Sequence, residues 1–107
     1  MHQNDKLLIV RTTCDSKDAL DLIAIQIIQK KLGACCQVGG PVTSTYSWKG
    51  TVESSKEWIL EIKATMDRFE AISNVILEHH PYDVPQIIGY PVTHVTQDYL
   101  DWVQSQV

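Results

Sequence analysis

The chain has 107 residues, of which 44% are hydrophobic and 21% charged, a composition that suits one globular domain with an ordinary packed core. Its formal net charge of -4 argues against a nucleic-acid partner, because binding to phosphates needs clustered Lys and Arg. No apolar run reaches membrane-spanning length, so we expect no membrane partner. The polar N-terminus lacks the order of a signal peptide, and three cysteines fit a reducing compartment, so we expect a cytoplasmic protein.

The first third of the chain predicts a buried strand followed by an amphipathic helix. The continuous apolar run Leu7–Val10 suits a strand buried on both faces. Asp15 or Ser16 can cap the helix that follows. The apolar residues that recur at helical spacing are Leu20, Ile23, Ala24, Ile27, Ile28 and Leu32. Gly33 supplies the predicted stop of this helix.

Between Ala34 and Ala64 the hydrophobic period changes to two, which predicts a hairpin of two long strands. Lys49-Gly50 is the predicted tight turn, and a bend or bulge is expected at Gly39-Gly40-Pro41. One face of the return strand carries Glu57, Glu61 and Lys63, which we expect to be solvated. The arms are longer than the other predicted strands, so they leave edges that a partner chain must cover.

The remaining sequence predicts two helices with a short strand between them. The apolar stripe of the first of these helices consists of Phe69, Ile72, Ile76 and Leu77. This helix should end before Pro81, because proline disfavours a helical conformation in the preceding residue. Ile87–Tyr90 is the predicted fourth strand, and a last helix begins near Thr96 or Gln97.

The predicted order is βαββαβ followed by a C-terminal helix, which is the ferredoxin-like pattern of the α+β class. Right-handed crossovers put strands one and three at the centre of an antiparallel sheet that has helices on one face. We expect a single domain over residues 1–107. Because the long hairpin strands expose unpaired edges, we expect a symmetric oligomer rather than a monomer.

Two adjacent imidazoles, His79 and His80, stand at the end of the second predicted helix, and imidazole is the commonest metal ligand in proteins. Adjacent helical residues point about 100° apart, so both rings reach one ion only where the helix has ended, as Pro81 allows. The candidates for a third ligand are Cys14, Cys35, Asp83 and a residue of another chain. The alternative is that the imidazoles cap carbonyl groups at the end of the helix.

The cysteines allow two interpretations. Cys35-Cys36 opens the second strand, so the two thiols should face opposite sides of it. Cys14 is predicted in the first loop, where exposure is expected. Soft thiolates suit copper(I) or zinc, but a free cysteine is as often a small buried hydrophobe. The sequence has no CxxC, HExxH, GxSxG, P-loop or GxGxxG motif, so we expect no catalytic activity.

Several segments, taken in chain order, resemble the CutA family, the divalent-cation tolerance proteins. They are Leu32–Cys35, Tyr46–Gly50, Ile62–Thr65, His79–Gln86, Pro91–His94 and Tyr99–Trp102. The resemblance spans nearly the whole chain, and the combination of His-Pro-Tyr-x-x-Pro with Tyr-x-Trp-x-Gly is specific. It implies a ferredoxin-like subunit and a homotrimer assembled through the long hairpin strands.

The resemblance also implies tolerance of copper or another divalent metal ion, with copper held by a first-strand cysteine and by His79 and His80. In this chain Arg11 stands where that cysteine falls. Cys14, three residues further on, should face the opposite side of the strand. The expected metal ligands are therefore His79 and His80, with Cys14 and Cys35 in reserve, in a non-catalytic, copper-binding trimer.

An alternative function follows from the likeness of CutA trimers to the PII signalling proteins. It is a signalling or anchoring trimer that holds a small molecule or a protein at clefts between subunits, in a cleft lined by Trp48, Lys63 and Tyr82. Two further classes are disfavoured. An acylphosphatase needs an anion-cradling loop, which does not follow Arg11, and an RNA-binding domain of this fold needs a basic setting.

Overall fold

The structure is a computed structural model, and it describes residues 6–107. Its strands are β1 Leu7–Cys14, β2 Cys35–Trp48, β3 Thr51–Thr65 and β4 Ile88–Pro91. Its α-helices are α1 Lys17–Gln29, α2 Phe69–His79 and α3 Gln97–Gln106, and a short 3-10 turn, Met66–Arg68, precedes α2. This element order confirms the predicted α+β architecture of the ferredoxin-like type.

The four strands form one antiparallel sheet in the order β2-β3-β1-β4, so β1 and β3 are central as predicted. β1 pairs with β3 from Leu7 opposite Thr65 to Cys14 opposite Trp58. The hairpin strands have 14 and 15 residues, whereas β1 has 8 and β4 has 4. The hairpin therefore projects well beyond the rest of the sheet, and the molecule is 46 Å long.

A two-residue turn closes the hairpin where the sequence predicted it. Lys49 and Gly50 have φ values of 51° and 79°, and Trp48 pairs with Thr51. Two consecutive residues with positive φ are typical of a type I′ turn, whose twist matches that of the flanking strands. The predicted bend is also present, because the register of β2 against β3 shifts between Gly39 and Val42.

Both α1 and α2 pack on one face of the sheet and enclose the main core. Its fully buried side chains include Val10, Leu20, Ile23, Ile27, Leu60, Ile62, Ile72 and Ile76. Ile28 and Leu77, which the helical stripes predicted as apolar contacts, are exposed because each lies at the margin of its helix's buried face. A smaller cluster forms where Leu100 and Val103 of α3 pack on Leu7.

The end of α1 differs from the prediction. The helix ends at Gln29, and Lys31 adopts the left-handed conformation with φ of 57°, so Gly33 is not the residue that stops it. Gly33 is instead buried against the sheet. A Cβ atom at this position would lie 2.7 Å from Cγ2 of Ile62 and 2.8 Å from Cγ2 of Ile27. Close approach of α1 to β3 therefore explains the glycine.

No helix within residues 6–107 is long and apolar enough to cross a membrane. The prediction about a signal peptide rested on the N-terminal sequence, and residues 1–5 lie outside the described part of the chain. The predicted single domain begins at residue 1, and its first five residues are likewise outside the described part of the chain. That domain boundary stays a prediction.

Candidate functional site

His80 is buried and bridges two parts of the structure. Its backbone is extended, so α2 has ended as the paired-histidine hypothesis requires. Its Nε2 lies 2.7 Å from the carbonyl oxygen of Thr13, and its Nδ1 lies 3.1 Å from the backbone nitrogen of Tyr82. Because the Tyr82 N–H donates to Nδ1, the ring proton sits on Nε2 and is donated to Thr13. Both ring nitrogens are therefore engaged within the protomer.

His79 is the last residue of α2 and is half-buried. The capping alternative is wrong for His80, since its ring donates to a carbonyl of β1 rather than to one of its own helix. A metal ion bound by His80 would have to displace either the Thr13 carbonyl or the Tyr82 amide. Metal ligation by His79 and His80 stays a prediction.

Cys14 is not in the first loop and is not exposed, which corrects the expectation from the sequence. It is the last residue of β1 and is fully buried, because it lies on the strand face that the helices cover. Its Sγ accepts a hydrogen bond from the Ser16 backbone N–H at 3.4 Å. Burial raises the pKa of the Cys14 thiol, which disfavours the thiolate form that metals bind.

Cys35 and Cys36 face opposite sides of β2, as predicted. Cys36 packs against the main core, and burial raises its pKa to about 12. Cys35 pairs with Lys63 on β3, whereas Cys14 pairs with Trp58. Five residues along a strand span about 17 Å, and the two partners point to opposite faces. One protomer therefore does not bring Cys14 and Cys35 together.

Arg11 occupies the open face of the sheet, where it pairs with Glu61 across β1 and β3. Its Nε donates to Oε2 of Glu61 at 3.1 Å, and Nη2 contacts the same oxygen. The hydrogen bond to Arg11 lowers the pKa of Glu61, and the same bond raises the pKa of Arg11. The Nζ of Lys63 also donates to Oε1 of Gln37, and it lies 3.9 Å from Oε1 of Glu61. An ion-pair network thus replaces the thiol that the resemblance implies at position 11.

No group of three or more His, Cys, Asp or Glu side chains within residues 6–107 is arranged to hold a metal ion. Together with the engaged His80 ring and the buried Cys14 thiol, this means that the donors of one protomer do not fit a closed metal site. A site built on these residues needs donors from a second protomer or a rearranged His80 ring.

A groove of about 910 Å³ lies between the projecting hairpin and the loop that follows α2, and we call it the hairpin groove. Its aromatic side chains are Tyr46, Trp48 and Tyr82. Its acidic side chains are Asp15, Glu53, Glu57 and Asp83. The predicted cleft therefore does bring Trp48 and Tyr82 together. Within one protomer Lys63 does not line this groove. It lies twelve residues beyond Thr51 along β3, a distance of about 40 Å.

Glu57 is a buried carboxylate in this groove, with a side chain that sequence reasoning expected to be solvated. It is 8% exposed, and its Oε2 accepts a hydrogen bond from the Tyr82 hydroxyl at 2.7 Å. The same hydroxyl accepts the Asp15 backbone N–H at 2.9 Å. Burial, with the hydrogen bond to Glu57, raises the pKa of Tyr82. The strand period could not reveal this burial, because the loop after α2 causes it.

Residues 8–106 match the protein family described as CutA1 divalent ion tolerance protein. The chain is 33% identical over 98 residues to the chloroplastic protein CutA of Arabidopsis thaliana, covering 92% of this chain and 54% of that protein. It thus spans about half of the plant protein. It is 32% identical over 103 residues to the divalent-cation tolerance protein CutA of Salmonella newport strain SL254, covering 96% of this chain and 89% of that protein.

Solved structures agree with the sequence matches. CutA1 from Oryza sativa superposes with a TM-score of 0.91 at 30% identity, covering 98% of this chain and 96% of that one. CutA1 from Shewanella sp. SIB1 superposes with a TM-score of 0.90 at 33% identity, with 94% of each chain covered. A protein described as the periplasmic divalent cation tolerance protein CutA from Archaeoglobus fulgidus superposes with a TM-score of 0.89 at 25% identity. The superposition covers 94% of this chain and 97% of that one. The chain therefore belongs to the CutA1 divalent ion tolerance family.

Proposed function

We propose that this protein contributes to tolerance of divalent cations by binding metal ions, copper in particular, as a non-catalytic cytoplasmic homotrimer. The observation that carries the proposal is the family match over residues 8–106. The two histidines at the end of α2 support it, since imidazole suits copper. The absence of enzyme motifs from the sequence supports a binding role.

The proposed metal site uses His79 with donors from another protomer. His79 ends α2 and precedes the buried His80, so it is the histidine of the pair that needs no rearrangement of the bridge to Thr13. His80 joins the site only when its ring leaves that bridge, and Cys14 only when its thiol is uncovered. Binding is therefore proposed to be weaker than in a site whose donors converge within one chain.

Titration with copper(II) by calorimetry tests this proposal. The variants are His79→Ala and, as a matched control, His94→Ala, because His94 is exposed and lies near the start of α3. We expect His79→Ala to lose affinity and His94→Ala to retain it. Arg11→Cys restores the thiol that the family resemblance implies and should bind copper more tightly. Equal affinity of wild type and His79→Ala would remove His79 from the site.

The trimer is supported by the hairpin. Its projecting part exposes Val42, Tyr46 and Val52, the last at 77% of its surface. The outer edge of β2 has no neighbouring strand within the described sheet, and neither does that of β4. Exposed apolar side chains beside an open strand edge are typical of a surface that another copy of the chain covers.

A second candidate function is a PII-like signalling or anchoring trimer that binds a small molecule in the hairpin groove. The juxtaposition of Trp48 and Tyr82 in a groove of about 910 Å³ favours it, because ligand sites are concave and rich in aromatic side chains. Native mass spectrometry of the protein purified from cell extract tests it. A retained small mass supports this function, and bare protein under gentle conditions counts against it.

A further inference from the structure

A set of hydrogen bonds, which we call the His80 clasp, ties the loop after α2 to β1 and β3. Its members are His80, Tyr82, Thr13, Asp15 and Glu57. We propose that the His80 clasp is an autoinhibitory contact. It withholds the His80 ring from metal ions and holds one wall of the hairpin groove in place, so that one opening releases both. This inference rests on the proposed metal-binding function and its second candidate, and it states how the two sites are coupled.

The first argument is the state of the His80 ring, which explains why it does not fit a metal site. A metal ion binds a ring nitrogen that carries no proton. In His80 that nitrogen is Nδ1, and it accepts the Tyr82 backbone N–H at 3.1 Å. The other nitrogen, Nε2, donates its proton to the Thr13 carbonyl oxygen at 2.7 Å. His80 is 8% exposed, so an external ligand reaches neither nitrogen while the clasp is closed.

The second argument is that Tyr82 belongs both to the clasp and to the wall of the hairpin groove. Its backbone N–H donates to the His80 ring, and the two rings are in edge-on contact with centroids 4.7 Å apart. Its hydroxyl donates to Oε2 of Glu57 at 2.7 Å and accepts the Asp15 backbone N–H at 2.9 Å. Release of the His80 ring therefore removes a hydrogen-bond partner and a ring contact from a residue of the groove wall.

The third argument is that the loop is weakly held outside the clasp. Residues 81–87 have no regular secondary structure and none of them is buried, although Tyr82 and Ile87 pack against the main core. Val84 is 88% exposed, and the Gln86 side chain accepts a hydrogen bond from β1 at a long 3.5 Å. A segment with few buried contacts opens at a lower free-energy cost than the whole fold. The loop can therefore open while the sheet and helices stay folded.

Two states of the loop follow from these contacts. In the closed state the His80 ring is a structural group and Glu57 is covered. In the open state the ring is accessible and the groove has lost one wall. One ring cannot serve the clasp and an external ligand at once, so ligation of His80 favours the open state. By linkage, a molecule that binds the closed groove opposes ligation of His80.

Modification of histidine by diethyl pyrocarbonate tests the clasp without any metal ion, because the reagent attacks an unprotonated ring nitrogen. Peptide mass spectrometry gives the rate for each histidine. In wild type we expect His79 and His94 to react faster than His80. Tyr82→Phe removes the two hydroxyl hydrogen bonds of the clasp and should make His80 react about tenfold faster. An equal His80 rate in wild type and Tyr82→Phe overturns the inference.

Two control variants separate opening of the clasp from a general loss of stability. Gly33→Ala overlaps Ile27 and Ile62 and does not alter a residue of the clasp. Tyr99→Phe makes the same chemical change on α3. Both should leave the His80 rate at its wild-type value. If Gly33→Ala raises that rate as much as Tyr82→Phe does, exposure of His80 follows global stability and the clasp is rejected.

Amide hydrogen exchange tests the coupling between His80 and the groove wall. His80→Ala should speed exchange of the Asp15 amide and of the amides in the loop 81–87 by about tenfold, because Tyr82 loses its partner. His79→Ala is the matched control and should exchange as wild type does. Unchanged exchange in His80→Ala would show that the ring and the groove wall are independent, which overturns the coupling.

Copper(II) titration connects the clasp to the proposed function. Tyr82→Phe should bind copper about tenfold more tightly than wild type, because His80 is then released more often. The double variant Tyr82→Phe/His80→Ala should lose that gain, and equal affinity of Tyr82→Phe and wild type overturns the autoinhibition. If no variant binds copper, the proposed function fails, whereas histidine reactivity and amide exchange still decide the clasp. The two failures are therefore distinguishable.

Discussion

Burial decides what a histidine side chain can do, and His79 and His80 differ in this respect although they are adjacent. His80 joins the end of α2 to the end of β1 through Thr13 and to the next loop through Tyr82. Its ring also contacts the Tyr82 ring edge-on, with centroids 4.7 Å apart. His79, the preceding residue, is only half-buried, so its ring is the more accessible ligand for a metal ion. Sequence alone does not distinguish the two.

Replacing His80 by alanine should destabilise the protein by about 2–3 kcal/mol, because the Thr13 carbonyl and the Tyr82 amide lose their partner in a buried setting. His79→Ala is the matched control and should cost less than about 1 kcal/mol. Urea unfolding followed by circular dichroism measures both. Similar losses for the two variants would contradict the bridging role of His80.

The Arg11–Glu61 ion pair makes the free energy of unfolding depend on pH. The hydrogen bond to Arg11 lowers the pKa of Glu61 below its ordinary 4.5. A carboxyl group with a depressed folded pKa stabilises the folded state above its unfolded pKa, and this stabilisation is lost as pH falls through the folded value. Both side chains are partly exposed, so solvent screening limits the contribution to about 0.5–1 kcal/mol.

Arg11→Gln should therefore be less stable than wild type at neutral pH by that amount, and the difference should shrink well below pH 4.5, where Glu61 is protonated. The measurement is the free energy of unfolding in urea for both proteins, at neutral pH and again well below pH 4.5. A difference that stays constant on acidification would show that Arg11 acts through packing of its aliphatic stem rather than through its charge.

At the scale of elements, Gly33 leaves no room for a side chain between α1 and β3. Hydrophobic periodicity identified both elements, and the two-residue turn and the bulge of the hairpin were also predicted correctly. The role of Gly33 was not, because a glycine after a helical stripe has the same sequence pattern whether it ends the helix or permits a close approach. Only the distance to Ile27 and Ile62 separates the two explanations.

Gly33→Ala should destabilise the fold by about 1–3 kcal/mol, because the added methyl group overlaps Ile27 and Ile62 in a close-packed interior. Gly39→Ala is the control, since a Cβ atom there meets nothing within 4 Å. Thermal unfolding of the two variants provides the comparison. If both melt at the wild-type temperature, the interface between α1 and β3 is looser than the structure indicates.

At the scale of the whole molecule, the sequence predicted the topology more fully than the candidate sites. Alternation and helical stripes depend on local spacing, which the sequence carries directly. The burial of Glu57 and Cys14 depends instead on which segments fold over them. Lys63 and Trp48 lie on neighbouring strands, but within one protomer Lys63 does not line the groove that contains Trp48. Contacts set by tertiary packing were therefore the ones that could not be predicted.

The proposed trimer gives the whole-molecule prediction. A charge at Val52, on the exposed part of the hairpin, should weaken an assembly built from the hairpin strands, because it places a lysine in an apolar contact. Leu22→Lys is the control, since Leu22 is exposed on α1 and is not a residue of the hairpin. Sedimentation equilibrium should give three times the chain mass for wild type and Leu22→Lys, and less for Val52→Lys. Monomeric wild type would rule out the trimer.

The two-residue turn at Lys49-Gly50 also bears on the order in which we expect the sheet to form. It closes the shortest loop between any two strands of the sheet, whereas Arg11 and Glu61 must meet across 50 residues of chain. Loop-closure entropy rises with loop length, so we expect β2 and β3 to pair before β1 and β4 join them. The open edge of β2 thus exists early, while the chain is still incomplete. In the proposed trimer, correct assembly and misassembly would then compete for the same strand edge.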